Sequence, residues 1–264
     1  MTIKVIVRVD DISDRSDFYV LKVWVLSNFP EIPISIYLNA THHNYRWRKK
    51  DWNLIKSMII EFKWEIGGHT RHHPHLPKLA TVKLKEEISE NLKDIENGLK
   101  SVDLNYKVTS FAYPYGEFDA RAKEVLKEHG IIHGLTYTDE KEYENQLIIP
   151  NNNLYEIGIS CNAKNDVSVW NKRFKYVYEN GDLYILCLHT PLWNKASNRS
   201  NLKRVIRSRS SKEFIISIRQ FFKYFIKKST VERWNDLKQH LDFIKKHSNV
   251  QFITYKDLIE TEKL

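Results

Sequence analysis

Apolar and polar positions change period repeatedly along the chain, dividing it into alternating strand-like and helix-like stretches. Residues 3–11, IKVIVRVDD, are an apolar run closed by two carboxylates and predict a buried strand. A helix is expected over 15–28 and a strand over 33–39, PISIYLN. Residues 49–62 space their apolar positions by three and four, predicting an amphipathic helix. A short strand, KWEIGGHT, is expected at 63–70. The clearest helix is 81–102, where Leu84, Ile88, Leu92, Ile95 and Leu99 make one stripe and Thr81 stands as its cap. Beyond it the pattern predicts a strand over 108–116 and a helix over 118–129 ended by Gly130. Further strands are expected at 131–138, 154–160 and 182–190, then a helix at 231–247, a strand at 250–255 and a terminal turn, KDLIE.

Strand–helix alternation over a whole chain predicts parallel strands with helices outside, as a doubly wound sheet or a barrel. No repeat, low-complexity tract or Pro/Gly-rich linker interrupts it, so residues 1–264 are expected to form a single domain. The polar residues follow the same plan. Asp10 and Asp11 end the first strand, His69 the third, Tyr115 the next and His189 a late one. Residues at the carboxyl ends of different strands converge on one mouth in a barrel.

Composition narrows the class. Hydrophobic residues at 42% and charged ones at 28% describe a soluble globular chain. No run approaches the ~20 apolar residues that span a bilayer. The opening MTIKVIVRVDDISD lacks signal-peptide organisation, and with two cysteines in strand-like contexts the expected compartment is the cytoplasm. Cys161 and Cys187 are expected to be small buried hydrophobes. The net charge of +9 is local: Lys195 to Lys228 holds eleven Lys or Arg against one acid, a net of +10, which leaves about −1 for the rest.

The candidate chemistry centres on GGHTRHHPHLP, residues 67–77, with four histidines in seven positions. His69 and His73 are four apart, so on one helical turn both imidazoles face the same way. With Asp11 they make the two-imidazole, one-carboxylate set of a catalytic zinc site, leaving one position for water. Such a metal polarises a carbonyl and lowers the pKa of its water to ~7. Asp10, not needed as a ligand, is free to act as general base, and His189 from another strand can protonate a leaving group.

These pieces resemble the motifs of the polysaccharide deacetylase family, the metal-dependent carbohydrate esterases that include chitin and peptidoglycan deacetylases. The resemblance is carried by RVDDI at 8–12, HTRHHP at 69–74, AYPYG at 112–116 and LCLHT at 186–190, in the family's order and spacing. It extends to VQFITYKDLIE at the end of the chain. The resemblance implies a distorted (β/α)7 barrel, with Asp10 as base, His189 as acid, and Asp11, His69 and His73 on a divalent metal, zinc. It also implies that the backbone N–H of Tyr115 helps hold the oxyanion of the tetrahedral intermediate. His72 and His75 are left as pocket rim or solvated surface.

Several positions depart from the family pattern. Ile12 replaces the glycine of the first motif, Thr190 the acid after the late histidine, and Ala112 the arginine of the third motif. In the family that arginine pairs with the catalytic aspartate. Arg8 and Arg71 are the candidates to take its place here. For the family's Trp-containing motif, Trp170 and Trp193 are candidates by proximity.

The basic segment sits in an insertion at about 191–229, after the late motif. Its second half places Ile215, Ile218, Phe222 and Phe225 on one face, the pattern of a basic amphipathic helix that lies in a membrane interface. The alternative is that its aromatics pack on the barrel and its charges are solvated. No nucleic-acid-binding module frames the charge. The expected function is N-deacetylation of an amino sugar that is free, nucleotide-linked or lipid-linked, in glycan or lipopolysaccharide-type biosynthesis, with peripheral contact through 195–228 at the inner membrane face. The alternatives are an inactive barrel that binds a glycan or an anionic surface, and amide hydrolysis on a non-sugar substrate.

Overall fold

A computed structural model describes residues 2–39, 46–137, 153–189 and 230–262. Within them the order is β1 (Ile3–Ile12), α1 (Arg15–Asn28), β2 (Ile34–Leu38), α2 (Lys49–Phe62), β3 (Glu65–Gly68), α3 (Thr81–Lys100), β4 (Ser110–Ala112), α4 (Ala120–Glu128), β5 (His133–Leu135), β6 (Cys161–Asn162), α5 (Val167–Asn180), β7 (Leu183–His189), α6 (Thr230–Lys245), β8 (Val250–Phe252) and α7 (Tyr255–Glu262).

Among the described residues all strand pairs are parallel, in the order β5-β4-β3-β2-β1-β7-β6, with β8 against the start of β1. The segment before β6 joins the two ends of this path. Gly134 N–H donates to Leu154 O and Ile157 N–H to Gly134 O, while Ser160 N–H donates to Ile185 O on β7. The curled sheet with helices outside is the (β/α)7 barrel of the polysaccharide deacetylase type that the motifs imply.

Alternation within each strand builds two cores. Val5, Val7 and Val9 of β1 pack outward with Phe18, Leu21 and Val25 of α1. Ile6 faces the lumen, in a second cluster with Tyr37, Ala112, Leu135, Ile185 and Cys187. The α3 stripe is buried as the periodicity predicts. Burying such side chains at roughly 1.5–3 kcal/mol each is what drives these helices onto the sheet.

Three expectations need correction. Ala80, not Thr81, is the α3 N-cap, and the Thr81 hydroxyl instead accepts from Arg121 Nη1 at 3.3 Å. The strand expected over 154–160 is a single bridge at Ile157, and its ladder begins at Cys161. Helix α5 has no counterpart among the expected elements. Its sequence, VSVWNKRFKYVYEN, is rich in β-branched and aromatic residues that favour strands. Burial of Trp170 and Phe174, four apart on one face, overrides that preference. The terminal KDLIE continues as α7. The basic segment 191–229, with Trp193, and Thr190 before it lie outside the described residues.

Candidate metal centre

At the mouth, β1 ends in a bulge. Its register against β2 runs Val9↔Ile36 and then Ile12↔Leu38, so three steps of β1 oppose two of β2. The extra residue is accommodated at Asp11, whose φ is 63°. A left-handed residue here turns the second carboxylate back toward the lumen that Asp10 already faces. This is how two adjacent acids, which a regular strand would point apart, serve one site.

The histidines come from the loop after β3. His69 and His73 do converge, but not on a helical turn: residues 69–75 are irregular, with left-handed backbone at Thr70 (φ 62°) and His73 (φ 58°). The His73 N–H donates to Thr70 Oγ1 at 3.0 Å, closing the turn that brings the rings to 4.9 Å between centroids. Both Nε2 atoms lie 3.0 Å from Asp11 Oδ1. One ligand atom from each of Asp11, His69 and His73 fits within 4.8 Å of the others.

The hydrogen bonds test whether a cation fits. His69 Nδ1 is 2.6 Å from the carbonyl of Ala112, which can only accept, so the proton is on Nδ1 and the Nε2 lone pair faces Asp11. A carboxylate oxygen and two imidazole nitrogens meeting head-on require protons or a metal ion between them. Burial opposes charge on His69, yet Asp11 outweighs it and raises the imidazole above its ordinary value. Asp11 itself is pushed well below the carboxylate range: burial would raise it, and the two histidines prevail. The residues fit a divalent metal, and this nitrogen–oxygen donor set suits zinc.

Asp10 is held by other partners. Arg8 grips it in a two-pronged fork, Nε to Oδ1 at 2.8 Å and Nη2 to Oδ2 at 2.7 Å. Cys187 Sγ–H points at Oδ2 from 3.5 Å. Burial alone would raise the Asp10 carboxyl, but Arg8 outweighs it and keeps it below the usual range. His189, opposite Asp10 in the β1–β7 register, brings Nε2 to 3.9 Å from Asp11 Oδ2. Desolvation lowers its pKa. Tyr137 packs edge-on against it at 5.6 Å.

Tyr115 follows β4 with φ 59° and a half-exposed ring. It stacks on His75 at 4.1 Å and meets His73 edge-on at 4.5 Å. His75 is thus part of the rim, tied to Glu117 at 2.7 Å. His72 turns outward to Glu87. Of the two arginines considered for the place lost at Ala112, Arg8 reaches Asp10 and Arg71 turns to Asp94 on α3. Trp170 lies on the buried face of α5, donating to Asn162 O at 2.9 Å, and takes no part in the site.

Asn91 was not among the expected site residues. Its Oδ1 accepts the His69 N–H at 3.0 Å and its Nδ2 donates to Leu38 O, pinning the β3 loop to β2. A polar residue inside the inward stripe of α3 is the signal that marks it.

The polysaccharide deacetylase family profile matches residues 10–133, which hold Asp10, Asp11 and the whole of the second and third motifs. No curated protein matches the chain by sequence. Among solved structures, the carbohydrate esterase domain of a multidomain xylanase from the hindgut metagenome of Trinervitermes trinervoides aligns with all of this chain and 93% of its own, at 12% identity and TM-score 0.57. The peptidoglycan deacetylase PdaC of Bacillus subtilis aligns over 99% of this chain and 92% of its own, at 13% identity and TM-score 0.52. A pseudoenzyme of the same esterase family from Bacillus anthracis aligns over 72% of this chain, at 15% identity and TM-score 0.47, and the chain spans only 55% of it. At these identities the first two structures establish the fold, while the profile match carries the kinship: residues 10–133 match the polysaccharide deacetylase family.

Proposed function

We propose that the protein is a zinc-dependent N-deacetylase that hydrolyses the acetamide of an amino sugar and releases acetate. One observation carries this reading: Asp10 and Asp11 are adjacent, yet one faces an arginine fork and the other two imidazoles. A site that needs one carboxylate to take a proton and another to hold a cation requires this division of partners.

Asp11, His69 and His73 would hold the metal, which when bound polarises the acetyl carbonyl and acidifies a water. Asp10, kept ionised by Arg8, takes the proton of the attacking water. The Tyr115 backbone N–H, at the left-handed turn after β4, contributes to the hole for the developing oxyanion. His189 passes a proton to the departing sugar amine. The half-exposed Tyr115 ring, stacked on His75, offers a flat apolar face to a pyranose.

The substrate is an N-acetylated saccharide, free, nucleotide-linked or lipid-linked, used in glycan or lipopolysaccharide-type biosynthesis. No described helix is long and apolar enough to cross a membrane. A cytoplasmic protein touching the inner membrane face through residues 195–228 accounts for the charge concentrated there. Purified protein supplied with zinc should release acetate from N-acetylglucosamine oligomers or from nucleotide- or lipid-linked N-acetylhexosamine. Zinc binding with no acetate from any of them would favour the second reading, a barrel that binds glycan without turnover. Ala112, where the family has its arginine, is the observation behind that second reading.

A further inference from the structure

We infer that Arg8 is a positioning residue, which fixes the plane of the Asp10 carboxylate and so stands in from β1 for a donor that β4 lacks at Ala112. The catalytic part of this inference rests on the deacetylase reading; the geometric part does not. Arg8 is fully buried and Asp10 is 2% exposed. The fork engages both carboxylate oxygens, so it sets the rotation of the group as well as its charge.

The arginine is itself braced. Its remaining prong, Nη1, donates to Thr136 O at 2.9 Å, just beyond β5 and on the far side of the lumen from β1. The guanidinium lies 5.5 Å over the Tyr37 ring. Arg8 therefore spans the barrel and ties the β1 carboxylate to the opposite wall. Arg8 and Asp10 are two apart in one strand, so both side chains point into the lumen without any help from the loops. Ala112 lies in the lumen cluster with Ile6, Tyr37 and Cys187, where its methyl group supplies no donor. Arg71, the other candidate, is committed to Asp94 at 3.0 Å.

A lysine at position 8 separates positioning from charge, because an ammonium restores the positive charge but not the planar fork. Arg8→Lys and Arg8→Ala would be compared with the unaltered protein for zinc affinity, melting temperature, kcat and KM on N-acetylglucosamine oligomers. Zinc-loaded crystals of Arg8→Lys would show where Asp10 points. Arg8→Ala leaves a buried carboxylate unpaired and should lower the melting temperature by about 5–10 °C. Arg8→Lys should recover most of that loss. Its kcat should stay down by about 30-fold or more with KM within about threefold, since misplacement of a proton acceptor affects turnover first. Zinc affinity should hold within about threefold in both variants, and the Asp10 carboxylate should rotate out of its original plane in the lysine variant. Full kcat with lysine would overturn the inference, as would a kcat loss that merely tracks lost zinc. If the unaltered protein releases no acetate, the deacetylase reading fails while the crystal still decides: an Asp10 that keeps its original plane in the Arg8→Lys variant refutes positioning.

Discussion

Asp10 near the mouth and Glu65 at the opposite end both project into the barrel lumen, and both are 2% exposed. Their fates differ. Asp10 meets a guanidinium fork and is kept below the ordinary carboxylate range. Glu65 meets neutral donors, Ser35 Oγ at 2.9 Å, Ser110 Oγ at 2.7 Å and the Lys256 N–H at 3.3 Å, and burial raises its pKa. Equal burial with opposite shifts means that the charge of the partner, not depth, decides ionisation. At the amino-terminal end of the lumen neutral donors satisfy Glu65, with Ser35, Glu65 and Ser110 near the starts of their strands. At the carboxyl-terminal end each carboxylate instead meets a cation or imidazoles, and that is where the proposed chemistry sits.

If this contrast is functional, the isosteric amide should be ruinous at one end and mild at the other. Asp10→Asn keeps the shape but removes the base, and should lower kcat by about 10³-fold or more with zinc still bound, measured by acetate release and metal titration. Asp10→Asn activity within tenfold of normal would remove Asp10 from the mechanism. His69→Ala acts on the cation instead. Zinc affinity should fall by at least about 100-fold in calorimetry, while the fold persists, because Asn91 bonds the backbone N–H of residue 69 and not the imidazole.

The periodicity of the chain gives the helices α1 and α2 with their observed ends, because long amphipathic patterns encode a buried face directly. It misses α5, where tertiary burial of Trp170 and Phe174 outweighs local strand preference. At the site, residue types and order single out Asp11, His69 and His73, but the histidines do not share the helical turn that their spacing predicts. Left-handed φ at Asp11, Thr70 and His73 brings the ligands together instead, and these are residue types with no glycine to announce such a conformation. Of Arg8 and Arg71, local sequence places only the first. Strand parity alone puts Arg8 beside Asp10, whereas the path of the β3 loop, which local sequence does not fix, sends Arg71 to α3.

A histidine in the lumen sharpens the contrast further. His133 is fully buried, neither ring nitrogen has a hydrogen-bond partner among the described residues, and desolvation lowers it to about 4. A histidine with a depressed folded pKa must shed its proton to fold. Its cost is therefore absent above about pH 6.5 and grows as pH falls toward 4. Urea denaturation should show about 2 kcal/mol less stability at pH 5 than at pH 7 from this group. His240, lowered to about 3, adds a contribution of the same sign. His133→Leu should flatten the His133 part of the slope; an unchanged slope would show that the ring finds a partner when charged.

The smallest effect belongs to Glu65→Gln. The amide is neutral at every pH, and hydroxyls at Ser35 and Ser110 can rotate to meet an amide oxygen or nitrogen. The exchange should cost about 1 kcal/mol under acid conditions, where Glu65 is itself protonated. The sign then runs opposite to that of His133. A carboxyl with a raised folded pKa contributes fully below about pH 4.5 and loses that contribution as pH rises through its folded value. The glutamine variant suffers no such loss, so its stability relative to the unaltered protein should improve from pH 4.5 to pH 7. Acetate release should stay within about twofold throughout. A large loss of turnover, or a stability difference that worsens with rising pH, would mean that Glu65 is ionised and that the two ends of the lumen are more alike than their partners indicate.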